Sequence, residues 1–382
     1  MTRTIALYIH VPFCRRKCGY CSFVSCAGRE ADIGAYVDAL GAELARRANG
    51  ETVGSIFFGG GTPSLLSAGQ LGDIFAAVRL HFNVHETAEI SLEANPGTVD
   101  EGYLAEIRRL GINRLSLGVQ SLDNAELELL GRIHTTEDAR EAVTAARHAG
   151  FDNINLDLIY GLPGQTLAAW RRTLGAAIDL EPEHLSLYAL TLEPDTPMYR
   201  EIDTGRFPAI DPDLAADQYE LAGDRLESAG YRHYEISNWV VPGRECRHNL
   251  VYWNNEPYLG FGVAAHSSVG GHRLANTDDL DAYLAAFSGN ALSATETDEE
   301  ISPDMCRAET VILGLRKGEG IDLAGLSERL GIDVPSEYRA QFEEMTEAGL
   351  LERSNGNIRL TRRGRLLSNE VFCRLLPEPD LT

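Results

Sequence analysis

Three cysteines, Cys14, Cys18 and Cys21, stand in the stretch CRRKCGYC. Thiolates spaced C-x3-C-x2-C can bind a zinc ion or an iron–sulfur cluster. A structural zinc site asks for four ligands, usually as two separated pairs. This loop has no second pair, and the nearest further thiol is Cys26. A four-iron cluster ordinarily takes one cysteine per iron, so three would leave one iron open to a ligand. From the loop alone both metals remain in play. A disulfide framework does not fit, because the cysteines number seven in 382 residues and crowd one loop. A second candidate element is GGGTP, Gly59 to Pro63, directly behind the apolar run SIFF. Glycines there let the backbone approach the polar ends of a ligand.

A strand–helix alternation must position these loops. IALYIHV, SIFFGGG, AEISLEANP, RLSLGVQS, NINLDLIYGLP and HLSLYALTLEP read as strands, followed by the strand YRHYEISNW. Between them lie helical segments such as DIGAYVDALGAELARRA, with Ile33, Tyr36, Val37, Leu40 and Leu44 on one face. The strands read as nearly continuous apolar runs, as expected of parallel strands covered by helices. Six βα units are too few for an eight-fold barrel, so the expected fold is α/β, a partial (βα)6 TIM-like barrel over residues 1–240. In such folds chemistry gathers at the C-terminal strand ends, where the thiolate loop, GGGTP, EANP and GVQS all fall. Residues 241–299 lack a clear helical period, and the acidic ATETDEE reads as a linker. Residues 300–382 read as a smaller, mostly helical, winged-helix-like domain with a hairpin turning at NGN.

The net charge of −23 repels phosphate backbones. RLTRRGRL is the sole basic cluster of the last domain, so no nucleic-acid partner is expected, although a zinc-stabilised winged-helix DNA binder is the non-enzyme alternative. No apolar run reaches the roughly 18 residues of a membrane span. The N-terminus is too short and strand-like for a secretory signal, so a cytoplasmic location is expected.

Taken together, the thiolate loop and GGGTP, one βα unit apart on one rim, resemble the radical S-adenosylmethionine (SAM) superfamily. The resemblance implies a [4Fe–4S] cluster on Cys14, Cys18 and Cys21, with SAM bound at the open iron and cleaved reductively to a 5′-deoxyadenosyl radical. YIHVPFCRRKCGYCSF, FFGGGTPS, SLEANP, GVQS, LGRIH, DLIYGLPGQT and YALTLEPDTPMY extend it to the oxygen-independent coproporphyrinogen III oxidase group, along nearly the whole chain. Within that group CRHNLVYW, Cys246 to Trp253, carries the H-N-x-x-Y-W signature of the HemW-type haem chaperones. The dehydrogenases of the group have a longer segment before the first strand, and another cysteine two positions after the third cluster cysteine; here Phe23 stands there.

By this resemblance, Tyr8, Gly60 and Glu93 would contact the first SAM. Tyr20, Gly61, Thr62, Gln120, Arg132 and Asp157 would contact a second. Haem iron takes an imidazole readily, which makes His248 the expected haem ligand, with Cys246 competing and His266 and His272 weaker. His10 is expected to support the cluster loop. The implied partners are haem-accepting proteins, a cytosolic one-electron donor such as flavodoxin or ferredoxin, a second copy in a homodimer, and a peripheral contact with membrane-bound haem proteins. The alternatives are coproporphyrinogen III dehydrogenase and a related radical SAM methyltransferase.

Overall fold

The computed structural model describes residues 4–288 and 293–377. Six central strands run parallel and neighbour one another in chain order: β1 (Ile5–Val11), β2 (Thr52–Gly60), β3 (Asn83–Ala94), β4 (Arg114–Gln120), β5 (Ile154–Tyr160) and β6 (His184–Ala189). The connecting helices cover one face. The first, Ile33–Arg47, buries the five residues expected from its periodicity. Ser67 and Gln70 close a capping box on the helix Ala68–His81. Gly150, at φ +88, ends the helix Thr136–His148.

The sheet stays open and reaches twelve strands among the described residues. Beyond β6, the segment YRHYEISNW is not one further parallel strand. It folds back as β7 (Arg232–Glu235) and β8 (Asn238–Val240), with β8 antiparallel to β6. On the other edge β9 (Tyr258–Phe261) pairs parallel with β1, and β10 (His266–Val269), β11 (His272–Asn276) and β12 (Thr295–Glu300) follow antiparallel. The expected linker ATETDEE is therefore an edge strand. Its side chains are mostly exposed, and backbone pairing with β11 holds it, which hydrophobic patterning cannot reveal.

A second difference concerns the central strands. Their side chains do alternate. Ile56, Phe58, Ile90, Leu92, Leu115, Leu117, Leu156 and Leu185 join the hydrophobic core. The intervening residues Ser55, Glu89, Ser91, Arg114, Ser116, Asn155, His184 and Ser186 are equally buried but polar. Strand geometry puts these two sets on opposite faces, so the inner face is a polar lumen. Burial on both sides made the runs look uniform.

The C-terminal unit, from the helix Pro303–Leu315 onward, has its own core around Val311, Leu315, Phe342, Ile358 and Val371. Its hairpin, Leu351–Ser354 and Asn357–Leu360, turns at Asn355 and Gly356, both at positive φ, as a two-residue turn needs. It meets the body away from the strand ends. The Arg316 guanidinium lies 4.2 Å from the Trp253 ring centre, Lys317 donates to Asn254 at 2.9 Å, and Arg362 pairs with Asp224 at 2.7 Å. No helix of the described residues is long and apolar enough to cross a membrane.

Candidate functional site

The thiol loop after β1 and the C-terminal ends of β2 to β6 line one cavity of about 400 Å3. Its walls include Cys14, Cys18, Cys21, Tyr20, Gly60, Gly61, Thr62, Glu93, Gln120, Arg132 and Asp157. The structure thus brings together the three thiols and nearly every residue expected to contact SAM. Tyr8 does not line the cavity; it lies one layer below, where a Cβ at Gly59 would come within 3.0 Å of its ring and 3.2 Å of Glu93.

The cysteine loop is fixed at its ends. Phe13–Cys14 pairs with Cys26–Ala27, and the Cys26 N–H donates to Pro12. Cys26 thereby serves the loop's closure, and the cavity wall does not include it. His10 is the support expected of it: its Nε2–H donates to the Val24 carbonyl at 2.9 Å, while Nδ1 accepts from Tyr8 at 3.1 Å. The glycines of GGGTP answer to packing. A Cβ at Gly60 (φ +117) would strike the His10 ring at 2.6 Å, and one at Gly61 the Phe13 carbonyl at 2.7 Å. The second strand end can therefore nest against the thiol loop.

A polar arc links two of the sulfurs. Thr62 donates to Cys14 Sγ at 3.6 Å and receives the Asn95 amide at 2.9 Å. The Asn95 carbonyl accepts from Arg132, whose other nitrogen reaches Cys18 Sγ at 3.5 Å. Asn95, within EANP, was not singled out from the sequence; a polar side chain two residues after a strand-end glutamate was its signal. Gln120 sits at φ +65 where the β4–β5 register shifts. Such irregularities at a rim re-aim side chains.

Two carboxyls meet in the cavity. Burial, with repulsion from Asp157, lifts Glu93 to about 8, although its Oε2 accepts the Gly60 N–H at 3.1 Å. Burial also raises Asp157, against hydrogen bonds from Ser116 and Asn155 at 2.9 Å. Carboxyls so disposed favour a cationic ligand.

His248 lies elsewhere. It is 1% exposed, on the short helix Arg247–Trp253 that fills the lumen's lower end. Its Nδ1 bonds Ser55 at 3.0 Å and its Nε2 bonds Tyr252 at 2.9 Å. Burial pushes its pKa down to about 3. For the expected haem ligand this means that both ring nitrogens are already hydrogen-bonded, and one of these bonds would have to give way to iron. Cys246 is fully buried, its thiol raised to about 12 by burial. Glu89 organises this end: its carboxylate accepts the N–H groups of Arg247 and His248, each at 3.1 Å. Arg114 is buried beside it, and the negative charge of Glu89 helps keep its guanidinium charged against burial. Neither Glu89 nor Arg114 was singled out from the sequence, although a charge inside an apolar strand was the available cue. His266 is exposed on β10, and His272 bonds Asp298 at 2.7 Å.

Comparison with known proteins agrees with this geometry. Residues 8–177 match the Radical SAM superfamily and residues 301–367 the HemN C-terminal domain. Heme chaperone HemW of Bacillus subtilis (strain 168) is 35% identical, across 97% of this chain and 99% of its own. Heme chaperone HemW of Escherichia coli (strain K12) is 42% identical, across 98% of each. The chain belongs to the HemW family. Among solved structures, the coproporphyrinogen III oxidase HemN of Escherichia coli, a radical SAM enzyme, superposes with a TM-score of 0.86 at 27% identity, over 98% of this chain and 90% of that one.

Radical SAM proteins such as those of the HemW family use a [4Fe–4S] cluster with SAM, and the residues here fit both. Among the described residues no three His, Cys, Asp or Glu side chains close on a single metal ion. Thiolates on separate irons of a cluster do not meet at one point. The three free thiols share one cavity wall, two of them already accept polar hydrogens, and the Arg132 Nε is buried without a partner. The raised carboxyls suit the ammonium and sulfonium of SAM.

Proposed function

We propose that this protein is a cytoplasmic haem chaperone that binds a [4Fe–4S] cluster, SAM and haem, and delivers haem to haem-dependent proteins. The observation that carries the reading is 35–42% identity, along essentially the whole chain, to proteins named heme chaperone HemW. Cys14, Cys18 and Cys21 hold the cluster, and SAM lies against Gly60 and Glu93. Tyr20, Gly61, Gln120 and Asp157 form the remaining cavity contacts, while Thr62 and Arg132 brace cluster sulfurs through Asn95. When bound, the reduced cluster can supply one electron to SAM. The chain's own part is to orient SAM, offer a carboxyl to its positive groups and shield the site from water. Iron ligation by His248 would require one ring nitrogen to give up its bond to Ser55 or Tyr252 and the buried ring to be uncovered, so in the resting fold His248 has a packing role. The one-electron donor is a flavodoxin- or ferredoxin-type protein.

The test is anaerobic haem titration of the cluster-reconstituted protein, followed by transfer to a haem-free acceptor. A stoichiometric Soret band that moves to the acceptor is expected. The superposition on HemN favours coproporphyrinogen III dehydrogenase as the second reading. Consumption of coproporphyrinogen without specific haem binding would establish it and overturn the first.

A further inference from the structure

Between the first two cluster thiols stand three consecutive cations, Arg15, Arg16 and Lys17, all exposed and all at the cavity mouth. Arg15 reaches the Gly97 carbonyl at 3.4 Å and Lys17 the Phe23 carbonyl at 3.1 Å. Neither partner is an acid, and among the described residues none of the three takes part in an ion pair, whereas nearby Arg29 is held by Asp32 and Asp281. The chain has 57 acidic and 34 basic side chains, Lys and Arg together. Three uncompensated cations in succession are therefore a local reversal of its field. Two large apolar side chains flank them at the same mouth, Phe23 at 68% exposure and Ile133 at 51%.

We propose that this loop is the docking surface for an acidic one-electron carrier protein, steered by Arg15, Arg16 and Lys17 and seated on Phe23 and Ile133. The proposal rests on the reading that Cys14, Cys18 and Cys21 hold a reducible cluster. One electron leaves the carrier's reduced centre and enters that cluster, and no bond or proton changes hands. The place follows from access, because helices cover the outer face of the sheet and the C-terminal unit and the helix Arg247–Trp253 occupy its lower end. The thiol loop is the part of the cluster site that faces solvent. The partner's charge follows from the field. A net charge of −23 disfavours the approach of an acidic protein, and the cations beside the cluster loop favour the orientation that presents this mouth. Redox encounters of this kind use small, salt-sensitive interfaces.

The test uses the full chain, an acidic [2Fe–2S] ferredoxin as probe, and Arg15→Glu/Arg16→Glu, which leaves the Lys17 tether intact. Two quantities are read: the dissociation constant of the complex at low and high salt, and the rate of cluster reduction by ferredoxin and by dithionite. Binding at low salt should weaken by about tenfold or more and lose most of its salt dependence. Ferredoxin-driven reduction should slow in step, with iron content and dithionite reduction unchanged. Unchanged ferredoxin affinity would overturn the proposal, as would a selective loss of haem affinity, which would assign the cations to haem propionates. If the double variant assembles no cluster, Arg15→Gln/Arg16→Gln is titrated in cluster-free form, where the same weakening is expected. Carrier binding is read without haem, so a failure of the chaperone reading shows separately in the haem titration.

Discussion

The two ends of the polar lumen use the same side chains to opposite purpose. At the rim are Cys18, Glu93 and Arg132; at the lower end are Cys246, Glu89 and Arg114. Glu89 and Glu93 lie on one strand and one face, separated by about 13 Å at ordinary strand rise. At the lower end Glu89 receives two backbone N–H groups and the Cys246 thiol, and His248 has both nitrogens bonded. At the rim the thiols are half-exposed and line a cavity, and burial with repulsion from Asp157 holds a carboxyl near 8; each end leaves one arginine nitrogen unpaired, Nε of Arg132 at the rim and Nε of Arg114 below. Polar groups closed on one another make structure, and those that open onto a cavity make a site. Residue type alone does not separate the two.

The largest effect that could break this contrast is metal retention. Cys18→Ala should lose nearly all iron and the visible absorbance of the cluster after anaerobic reconstitution, because each thiolate anchors its own iron. Cys246→Ala should keep both. Iron loss from Cys246→Ala, or retention by Cys18→Ala, would put the cluster in the wrong half of the lumen.

Next in size are the anchors of the lower end. Glu89→Ala removes the only carboxylate bonded to the start of the helix Arg247–Trp253 among the described residues and leaves Arg114 without its neighbour. Breaking such a buried charged arrangement costs roughly 3–5 kcal/mol, to be read from the denaturant midpoint with iron content as a control. His248→Ala should cost about 2–3 kcal/mol through lost packing and the unpaired Ser55 and Tyr252 hydroxyls. It should also change the acid limb. A histidine held at about 3 when folded, against 6.5 free, gains its proton only on unfolding, so stability falls as pH drops through that window. Removing it should flatten the slope there by up to about 1.4 kcal/mol per pH unit. A variant of native stability whose haem Soret band moves would instead show that one imidazole nitrogen gives up its bond to take iron.

Much of this was legible in the sequence, for physical reasons. The thiol loop, GGGTP and the Asn355–Gly356 turn are local: spacing, a close backbone approach and positive φ act within a few residues. The six parallel strands announced themselves through apolar cores. What stayed hidden depends on partners distant in the chain. The strand Tyr258–Phe261 belongs beside Ile5–Val11 because of a pairing no local pattern encodes, and the acidic Thr295–Glu300 is a strand solely by its neighbour. The burial of the H-N-x-x-Y-W histidine was hidden because a motif names residues without saying which way they face. Ser55, 193 residues away, decides that.

The smallest effect sharpens the contrast at a single proton. Glu93 sits near 8, so at neutral pH its carboxyl is mostly protonated, while an ordinary glutamate near 4.5 is not. By linkage, this group favours the fold below about 4.5 and loses that contribution as pH rises through 8. SAM brings an ammonium and a sulfonium, and positive charge beside the carboxyl favours its ionised form. Binding at pH 7 should therefore release up to about one proton, seen as different calorimetric enthalpies in two buffers of unlike ionisation heat. Glu93→Gln should abolish the buffer dependence. Glu89→Gln, which folds if its amide still caps the helix, should leave it unchanged, because Glu89 already has its partners. Equal enthalpies in both buffers for the unmodified protein would mean that SAM's charges lie away from Glu93, and that the rim answers them with Asp157 instead.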